Sequence, residues 1–190
     1  MKKRIVLAVL AIIGLAAPIA AQTKQVDATQ SIISWNAKKV TGEHYGKISL
    51  KSGSITTSSE KITAGEFIVD MTSIKCEDLP AGEWNDKLIG HLKSDDFFGV
   101  EKFKEAKLTI TSVGKTDKDG NQEITGGLTI KDVTQMITFI ATKTETGYKT
   151  TLTVDRTKYG IKYGSGKFFE GLGDKMIEDT FTLDIAIAVK

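Results

Sequence analysis

The chain has 190 residues, a length that suits one domain better than two. Of these residues 40% are hydrophobic, which is enough for the domain to have its own core. With 26 basic and 24 acidic residues the net charge is only +2, which excludes the strongly basic surface of a nucleic-acid-binding protein. The one cysteine, Cys76, excludes an internal disulfide.

Residues 1–21 are predicted to be a signal peptide. Basic residues at positions 2–4 precede an apolar run from 5 to about 17 that is too short to span a bilayer, and small residues follow up to Ala21. Cleavage after Ala21 would remove three basic and no acidic residues, leaving a net charge of −1. The residue directly after the cleavage site is Gln22, not a cysteine that could carry a lipid. We therefore expect residues 22–190 to be one domain, periplasmic or secreted, without a stable membrane anchor.

The domain is predicted to be all-β. Short runs in which apolar and polar residues alternate recur at roughly even spacing, as in strands with one buried face. Eight such runs imply an antiparallel sheet, and closure into a barrel is favoured because it leaves no unpaired edge. The apolar positions are, in chain order, Ile33, Trp35 and Ala37; Ile48 and Leu50; Phe67, Val69 and Met71; Leu108 and Ile110; Ile124, Leu128 and Ile130; the run 136–142; Tyr148, Leu152 and Val154; and Phe181, Leu183, Ile185, Ile187 and Val189.

Two segments interrupt the strand pattern. Trp84, Leu88 and Leu92 recur every four residues, which predicts a short helical segment near residues 80–93 with these three on its buried face. Residues 164–173 are rich in glycine and contain two phenylalanines, which predicts a loop that is either a lid or a long connection.

Several segments of the chain together carry a resemblance to a known family. They are Asp86–Phe98 with Phe103, Leu108–Ser112, Ile124–Ile130, Val133-Thr134, Asp27 with Ser31–Trp35, Ser73-Ile74, and Arg156 with Tyr159–Ile161. With these segments the chain resembles the YceI-like family of periplasmic polyisoprenoid-binding proteins. Lys104 and Met136 stand where members of that family often carry proline. The resemblance implies an eight-stranded, lipocalin-like antiparallel barrel whose hydrophobic tunnel binds an isoprenoid chain.

Three functions are compatible with these patterns. The first is an exported protein that sequesters or carries an amphiphilic isoprenoid lipid of the polyprenyl or quinone type. The second is a structural or adaptor barrel with a packed core and no ligand. The third is a hydrolase or isomerase acting on prenyl lipids, with His91 and Asp95 or Asp96 as its acid and base. Because the sequence has no ordered nucleophile and base, we predict a binding protein, not an enzyme, without catalytic residues or cofactor.

A metal site is not predicted. His44 and His91 are far apart and have no short metal-ligand spacing, so a zinc site would need further ligands brought together by the fold. Nothing near Cys76 marks its thiol as activated, which predicts a part-buried or surface thiol without chemistry.

The apolar face of the strands predicts where a lipid would lie. Small residues on that face, Ala37 and Gly126, are expected to leave room beside the large ones. The predicted lipid-binding residues of the barrel interior are Trp35, Phe67, Val69, Leu108, Ile110, Leu128, Ile130, Leu152, Val154, Phe181, Leu183 and Ile185.

Arg156, the only arginine after the predicted cleavage site, continues the inward face of Leu152 and Val154. Its guanidinium can hold a phosphate or quinone oxygen in a bidentate fork. The alternative is an ion pair with a carboxylate, such as that of Asp155 or Asp95, that closes the barrel end. His91 is a second possible contact to a lipid head group.

Overall fold

In a computed structural model, which describes residues 21–190, the chain forms a closed antiparallel barrel in which the strand order follows the sequence. The predicted eight-stranded fold is confirmed. The signal peptide predicted over residues 1–21 lies outside the described residues, apart from Ala21. The strands are β1 (Gln22–Lys39), β2 (Gly42–Ser58), β3 (Lys61–Cys76), β4 (Glu105–Thr116), β5 (Asn121–Ile130), β6 (Val133–Lys143), β7 (Gly147–Asp155) and β8 (Ile177–Val189).

The two ends of the barrel differ in their cover. The helix end carries α1 (Glu83–Lys93), between β3 and β4, and the segment 156–176, between β7 and β8. That segment contains short 3₁₀ helices at Arg156–Tyr159 and Gly173–Lys175. The turn end carries the hairpin turns after β2, β4 and β6 and both ends of the strand sequence, since successive strands are antiparallel.

Helix α1 falls within the predicted range, but the predicted burial of one residue on its face, Trp84, was wrong. Leu92 is buried, and Leu88 and Ile89 pack partly against the same core. Trp84 is 74% exposed, and the Lys87 ammonium lies 4.9 Å from the centre of its ring. The reason is that the core contact is made by the second half of α1. Within residues 21–190, the structure contains no helix with the length and apolar character needed to cross a membrane.

Three Asp-x-Thr sequences hold irregular turns of the strands. In each, the aspartate Oδ1 accepts hydrogen bonds from the backbone N–H and the hydroxyl of the threonine two residues later, at 2.6 to 3.0 Å. These bonds lower the pKa of Asp27 and Asp70, and the bond from the threonine hydroxyl has the largest effect. The local bonds replace ladder bonds where the strand register shifts or the strand ends. The three sequences are Asp27–Thr29, Asp70–Thr72 and Asp155–Thr157.

Gly126 has a different role from the predicted one. It does not line the barrel cavity described below. A Cβ at this position would lie 2.8 Å from the Thr109 carbonyl oxygen and 3.1 Å from Leu108 Cδ1. Glycine therefore permits β5 to approach β4 closely, and does not create space inside the barrel.

One seam of the barrel is weakly paired. Over the described residues, β6 meets β7 in two register pairs, Thr142 with Lys149 and Lys143 with Tyr148. On its other side, β6 pairs with β5 along its whole length, from Val133 to Thr142. The β6–β7 seam is therefore held at the turn end and lacks ladder pairing towards the helix end.

Candidate functional site

An apolar cavity of about 170 Å³ lies inside the barrel, and every strand contributes to its wall. At the helix end it is bordered by Ile74, Leu92 and Phe97, and towards the turn end by Ile62 and Ile187. Because these positions lie near opposite ends of their strands, the cavity follows the barrel axis. Such a shape suits a slender apolar molecule.

The interior is not filled by its own side chains. Two packed clusters occupy the ends, one containing Ile161 and one containing Ile124, and both residues are fully buried. Between the clusters, large inward-facing side chains keep part of their surface accessible because they border the cavity. These partly accessible residues are Phe67, Val69, Leu108, Ile110, Phe139, Leu183 and Ile185.

Eleven of the twelve predicted interior residues line this cavity. Val154 does not; it is 2% exposed and packs in the helix-end cluster with Tyr159 and Ile161, because the chain turns back over that end after β7. The eleven are Trp35, Phe67, Val69, Leu108, Ile110, Leu128, Ile130, Leu152, Phe181, Leu183 and Ile185.

Other lining residues escaped the sequence analysis. Ile55 and Ile62 lie where β2 and β3 extend beyond the alternating runs that predicted them. Leu92, Phe97 and Phe98 come from α1 and the loop after it, so strand periodicity does not detect them. The available signals were the helical spacing of Leu92 and the family resemblance of Asp86–Phe98, neither of which places a side chain in the barrel cavity.

Arg156 borders the cavity at the helix end, but its donors are used by the protein. Nε donates to the Glu178 carbonyl oxygen at 3.0 Å, Nη1 to that of Ile161 at 2.9 Å, and Nη2 to that of Ile177 at 3.1 Å. As in the predicted alternative, Arg156 pairs with a carboxylate at the barrel end, but that carboxylate belongs to Asp179, at 3.8 Å, and not to Asp155 or Asp95. Proximity in the chain favoured Asp155, whereas the strand pairing of β7 with β8 brings Asp179 alongside.

Burial is the main influence on the Arg156 guanidinium. It lowers the pKa of this group, and the carboxylates of Asp179 and Asp155 act in the opposite direction. The guanidinium carbon also lies 5.5 Å from the centre of the Phe97 ring. Together the three carbonyl oxygens, the carboxylate and the ring surround a charge that is 2% exposed.

His91 does not line the cavity. Its ring packs edge-on against Phe97 and Tyr163, with centroids 5.5 and 4.4 Å apart, and its Nε2 is buried without a hydrogen-bond partner in the described part of the chain. Asp95 pairs instead with Lys102 at 2.7 Å, and Asp96 is exposed. The structure thus gives the proposed acid and base no hydrogen bond to each other.

Thr150, on β7, is a polar residue of the cavity wall. Its Oγ1 is buried and has no hydrogen-bond partner within residues 21–190. A hydroxyl both donates and accepts, so this atom can bind a hydroxyl, carbonyl or ether oxygen of a ligand. No sequence pattern distinguishes Thr150, because threonine is also common on the outer face of strands.

Residues 25–189 match the family model of the YceI-like domain. The chain belongs to the YceI-like domain family. It is 29% identical over 147 residues to the UPF0312 protein of Pseudomonas putida strain W619, a match that covers 71% of this chain and 67% of that relative.

Solved structures share the YceI-like fold. BcnA of Burkholderia cenocepacia has a TM-score of 0.66 at 17% identity, over 87% of this chain and 99% of that one. A polyisoprenoid binding domain from Saccharophagus degradans, implicated in plant cell wall breakdown, has a TM-score of 0.56 at 16% identity, over 90% of this chain and 98% of that one. At these identities the likeness establishes the barrel fold alone.

The YceI-like barrel also brings together three residues that sequence spacing did not connect. His44 Nδ1 lies 2.7 Å from Asp78 Oδ2, and the Cys76 thiol donates to Asp78 Oδ1 at 3.2 Å. Cys76 is buried, which is closer to the predicted part-buried thiol than to the predicted surface thiol. Burial raises the pKa of this thiol. Without a bound ion this thiol is therefore protonated at neutral pH and a poor nucleophile.

Proposed function

We propose that this YceI-like protein is exported and that it sequesters or carries an amphiphilic isoprenoid lipid, of the polyprenyl or quinone type, without catalysing a reaction on it. The observation that carries the proposal is the apolar cavity, whose mid-barrel walls are large side chains that the protein itself does not cover. A barrel serving only as a structural or adaptor domain would fill this space, because unfilled apolar cavities destabilise a fold.

The chemistry of the wall favours an apolar chain. An apolar cavity of about 150 Å³ stays free of water and binds small hydrocarbons. Burial of a few hundred Å² of isoprenoid surface would stabilise the complex by on the order of 10 kcal/mol before the costs of ordering. Dispersed apolar contact is therefore sufficient for tight binding, and the proposal requires neither a cofactor nor covalent chemistry.

We place the polar head group of the lipid near Thr150, rather than at Arg156 or His91. The Thr150 hydroxyl borders the cavity without a partner, whereas the Arg156 donors bind backbone carbonyls. Thr150 also lies beside the β6–β7 seam, just beyond its last register pair.

The same seam is the proposed point of entry for the lipid. Strands without ladder hydrogen bonds between them can separate at lower cost than paired ones. Two apolar side chains on the outer face of β6, Met136 and Ile140, are 60% and 49% exposed beside it. They would contact the lipid chain as it passes between the strands.

Export to the periplasm or the exterior is part of the proposal. It is supported by the sequence of residues 1–21. Strand β1 begins at Gln22, so cleavage after Ala21 would leave all eight strands intact. The ligand class is supported by the polyisoprenoid binding domain among the proteins of the same fold.

Native lipid is the first test. The full chain is expressed in its host, purified without detergent, and extracted with organic solvent for mass spectrometry. We expect a prenyl lipid or quinone at close to one per chain. A fatty acid or phospholipid would contradict the proposed ligand class, and an extract free of lipid would favour an unliganded barrel.

Tryptophan fluorescence gives a second test, because the sequence has two tryptophans in contrasting places. Trp35 lines the cavity and Trp84 is exposed. In Trp84→Phe, titration with a prenyl quinone should quench the Trp35 emission to saturation. In the matched Trp35→Phe variant, Trp84 should respond far less. Equal responses would show that the quinone does not enter the barrel.

A further inference from the structure

We propose that His44, Cys76 and Asp78 form a binding site for one Zn²⁺ ion at the helix end of the barrel, separate from the lipid cavity. One nitrogen, one sulfur and one carboxylate oxygen lie within 4.8 Å of one another. His44 lies on β2, Cys76 is the last residue of β3, and Asp78 follows it by two positions. None of the three lines the cavity.

The backbone around these residues is fixed by other contacts. The Tyr45 N–H donates to Asp78 Oδ1 at 2.9 Å, which orients the carboxylate. Asn85 Nδ2, on α1, donates to the carbonyl oxygens of Leu79 at 2.8 Å and Cys76 at 3.4 Å. Gly46 pairs with Cys76, and a Cβ there would lie 1.9 Å from the Lys75 carbonyl oxygen. The close approach of β2 and β3 at this point therefore depends on glycine.

The ligand types fit zinc. Zn²⁺ binds thiolate, imidazole and carboxylate at about 2.3, 2.0 and 2.1 Å, which places tetrahedral ligand atoms roughly 3.3 to 3.6 Å apart. The three ligand atoms, one from each side chain, already lie within 4.8 Å of one another, so no pair has to close by more than about 1.5 Å to reach this spacing. A thiolate with an imidazole disfavours Mg²⁺ and Ca²⁺, which prefer oxygen ligands.

The order of the contacts argues against a catalytic triad. In a nucleophile and base pair, the histidine contacts the thiol. Here Asp78 lies between His44 and Cys76 and contacts both. The His44 and Asp78 side chains are 28% and 14% exposed, so an ion can enter from solvent and keep a water as its fourth ligand.

The protonation states balance on binding. The Cys76 thiol gives its proton to solvent and binds as the thiolate, while His44 carries its proton on Nε2 and binds through Nδ1. The thiolate and the Asp78 carboxylate together neutralise the two charges of the ion.

The test uses the untagged full chain after removal of metals with a chelator. Co²⁺, the spectroscopic probe, should give a sulfur-to-cobalt charge-transfer absorption that saturates at one ion per chain. Zn²⁺ affinity is then measured by titration calorimetry. Cys76→Ser and Asp78→Asn should each weaken Zn²⁺ binding by at least about 100-fold. Loss of a group that only supports a metal ligand costs at most about that much, so loss of a ligand itself should cost no less. His91→Gln, at the other histidine of the chain, should leave it unchanged.

Unchanged Zn²⁺ affinity in Cys76→Ser, or a Co²⁺ complex without charge-transfer absorption, would overturn the site and leave the three residues as a hydrogen-bonded structural cluster. If the variants fail to fold, the wild type still gives an answer. Saturating Zn²⁺ should slow alkylation of Cys76 by at least about tenfold, and an unaltered alkylation rate would overturn the proposal.

Discussion

Arg156 Nη1 donates a hydrogen bond of 2.9 Å to the carbonyl oxygen of Ile161, within the segment that follows β7 and covers the helix end. The other two nitrogens bind the carbonyl oxygens of Ile177 and Glu178, at the start of β8. One side chain thus joins three stretches of backbone. The planar guanidinium makes this possible, since its donors point in fixed and different directions.

Arg156→Lys should therefore destabilise the barrel without weakening lipid binding. An ammonium can satisfy one of the three carbonyl oxygens well, so about two hydrogen bonds to a charged group are lost, and the free energy of unfolding should fall by about 3 kcal/mol. Urea denaturation measures the stability, and Trp35 quenching by a prenyl quinone measures the affinity. Weaker quinone binding at unchanged stability would instead show that Arg156 binds the head group.

Tyr159 should make the barrel sensitive to alkali. Burial, with a further contribution from Asp155, raises the pKa of Tyr159 to about 12, from 10.0. The unfolded chain ionises this phenol near pH 10, so its contribution is full below pH 10 and is lost as the pH rises to 12. About 1.4 kcal/mol of stability should be lost by pH 11.

The Tyr159→Phe variant isolates this effect from the titration of lysines. The Tyr159 Oη is buried without a hydrogen-bond partner in the described part of the chain, so its removal should not destabilise the protein at pH 8. Urea unfolding at pH 8 and pH 11 should show a smaller loss in the variant than in the wild type. The same loss in both proteins would contradict the assigned pKa.

The sequence predicted the barrel because strand burial depends on a local pattern. Alternation from Phe181 to Val189 corresponds to β8, and its odd-numbered residues from Phe181 to Ile187 line the cavity. A helical pattern is less decisive. Trp84, Leu88 and Leu92 share one face of α1, yet which part of that face meets the core depends on where the helix crosses the barrel rim.

The parts that were missed depend on contacts between strands. His44 and Cys76 meet because β2 pairs with β3, and no spacing along the chain encodes that register. The Arg156 partner was missed for the same reason, since Asp179 reaches it from β8. The weak β6–β7 pairing was missed too, because the sequence of a strand does not show how far its pairing with a neighbour extends.

Leu128→Trp should block the cavity. Leu128 lies opposite Leu108 in the β4–β5 register, and both line the mid-barrel wall. The larger ring would occupy space proposed for the lipid and lower its affinity by at least about tenfold, or 1.4 kcal/mol. Overpacking should cost about 1 to 3 kcal/mol of stability. The control is Thr129→Trp, at the adjacent, outward-facing position. If Leu128→Trp stays folded and binds a prenyl quinone with the same affinity as the wild type, the lipid lies elsewhere.

Closing the β6–β7 seam should slow lipid exchange. Continuing the register of Thr142 with Lys149 places Ile140 opposite Thr151, both on the outer face. A disulfide in Ile140→Cys/Thr151→Cys requires Cα atoms about 4.4 to 6.8 Å apart, so its formation holds the strands together.

Oxidation of this variant should slow quinone uptake and release by about tenfold or more at little cost in equilibrium affinity, and reduction should restore both rates. Stopped-flow quenching of Trp35 measures the rates, and mass spectrometry confirms the disulfide. The matched control is Thr125→Cys/Thr138→Cys, across the β5–β6 seam, where the two residues are already a register pair. The disulfide of this control should leave the rates of quinone uptake and release unchanged, because β5 and β6 are already hydrogen-bonded along their length. Equal rates for the oxidised and reduced β6–β7 pair would mean that the lipid enters through an end of the barrel.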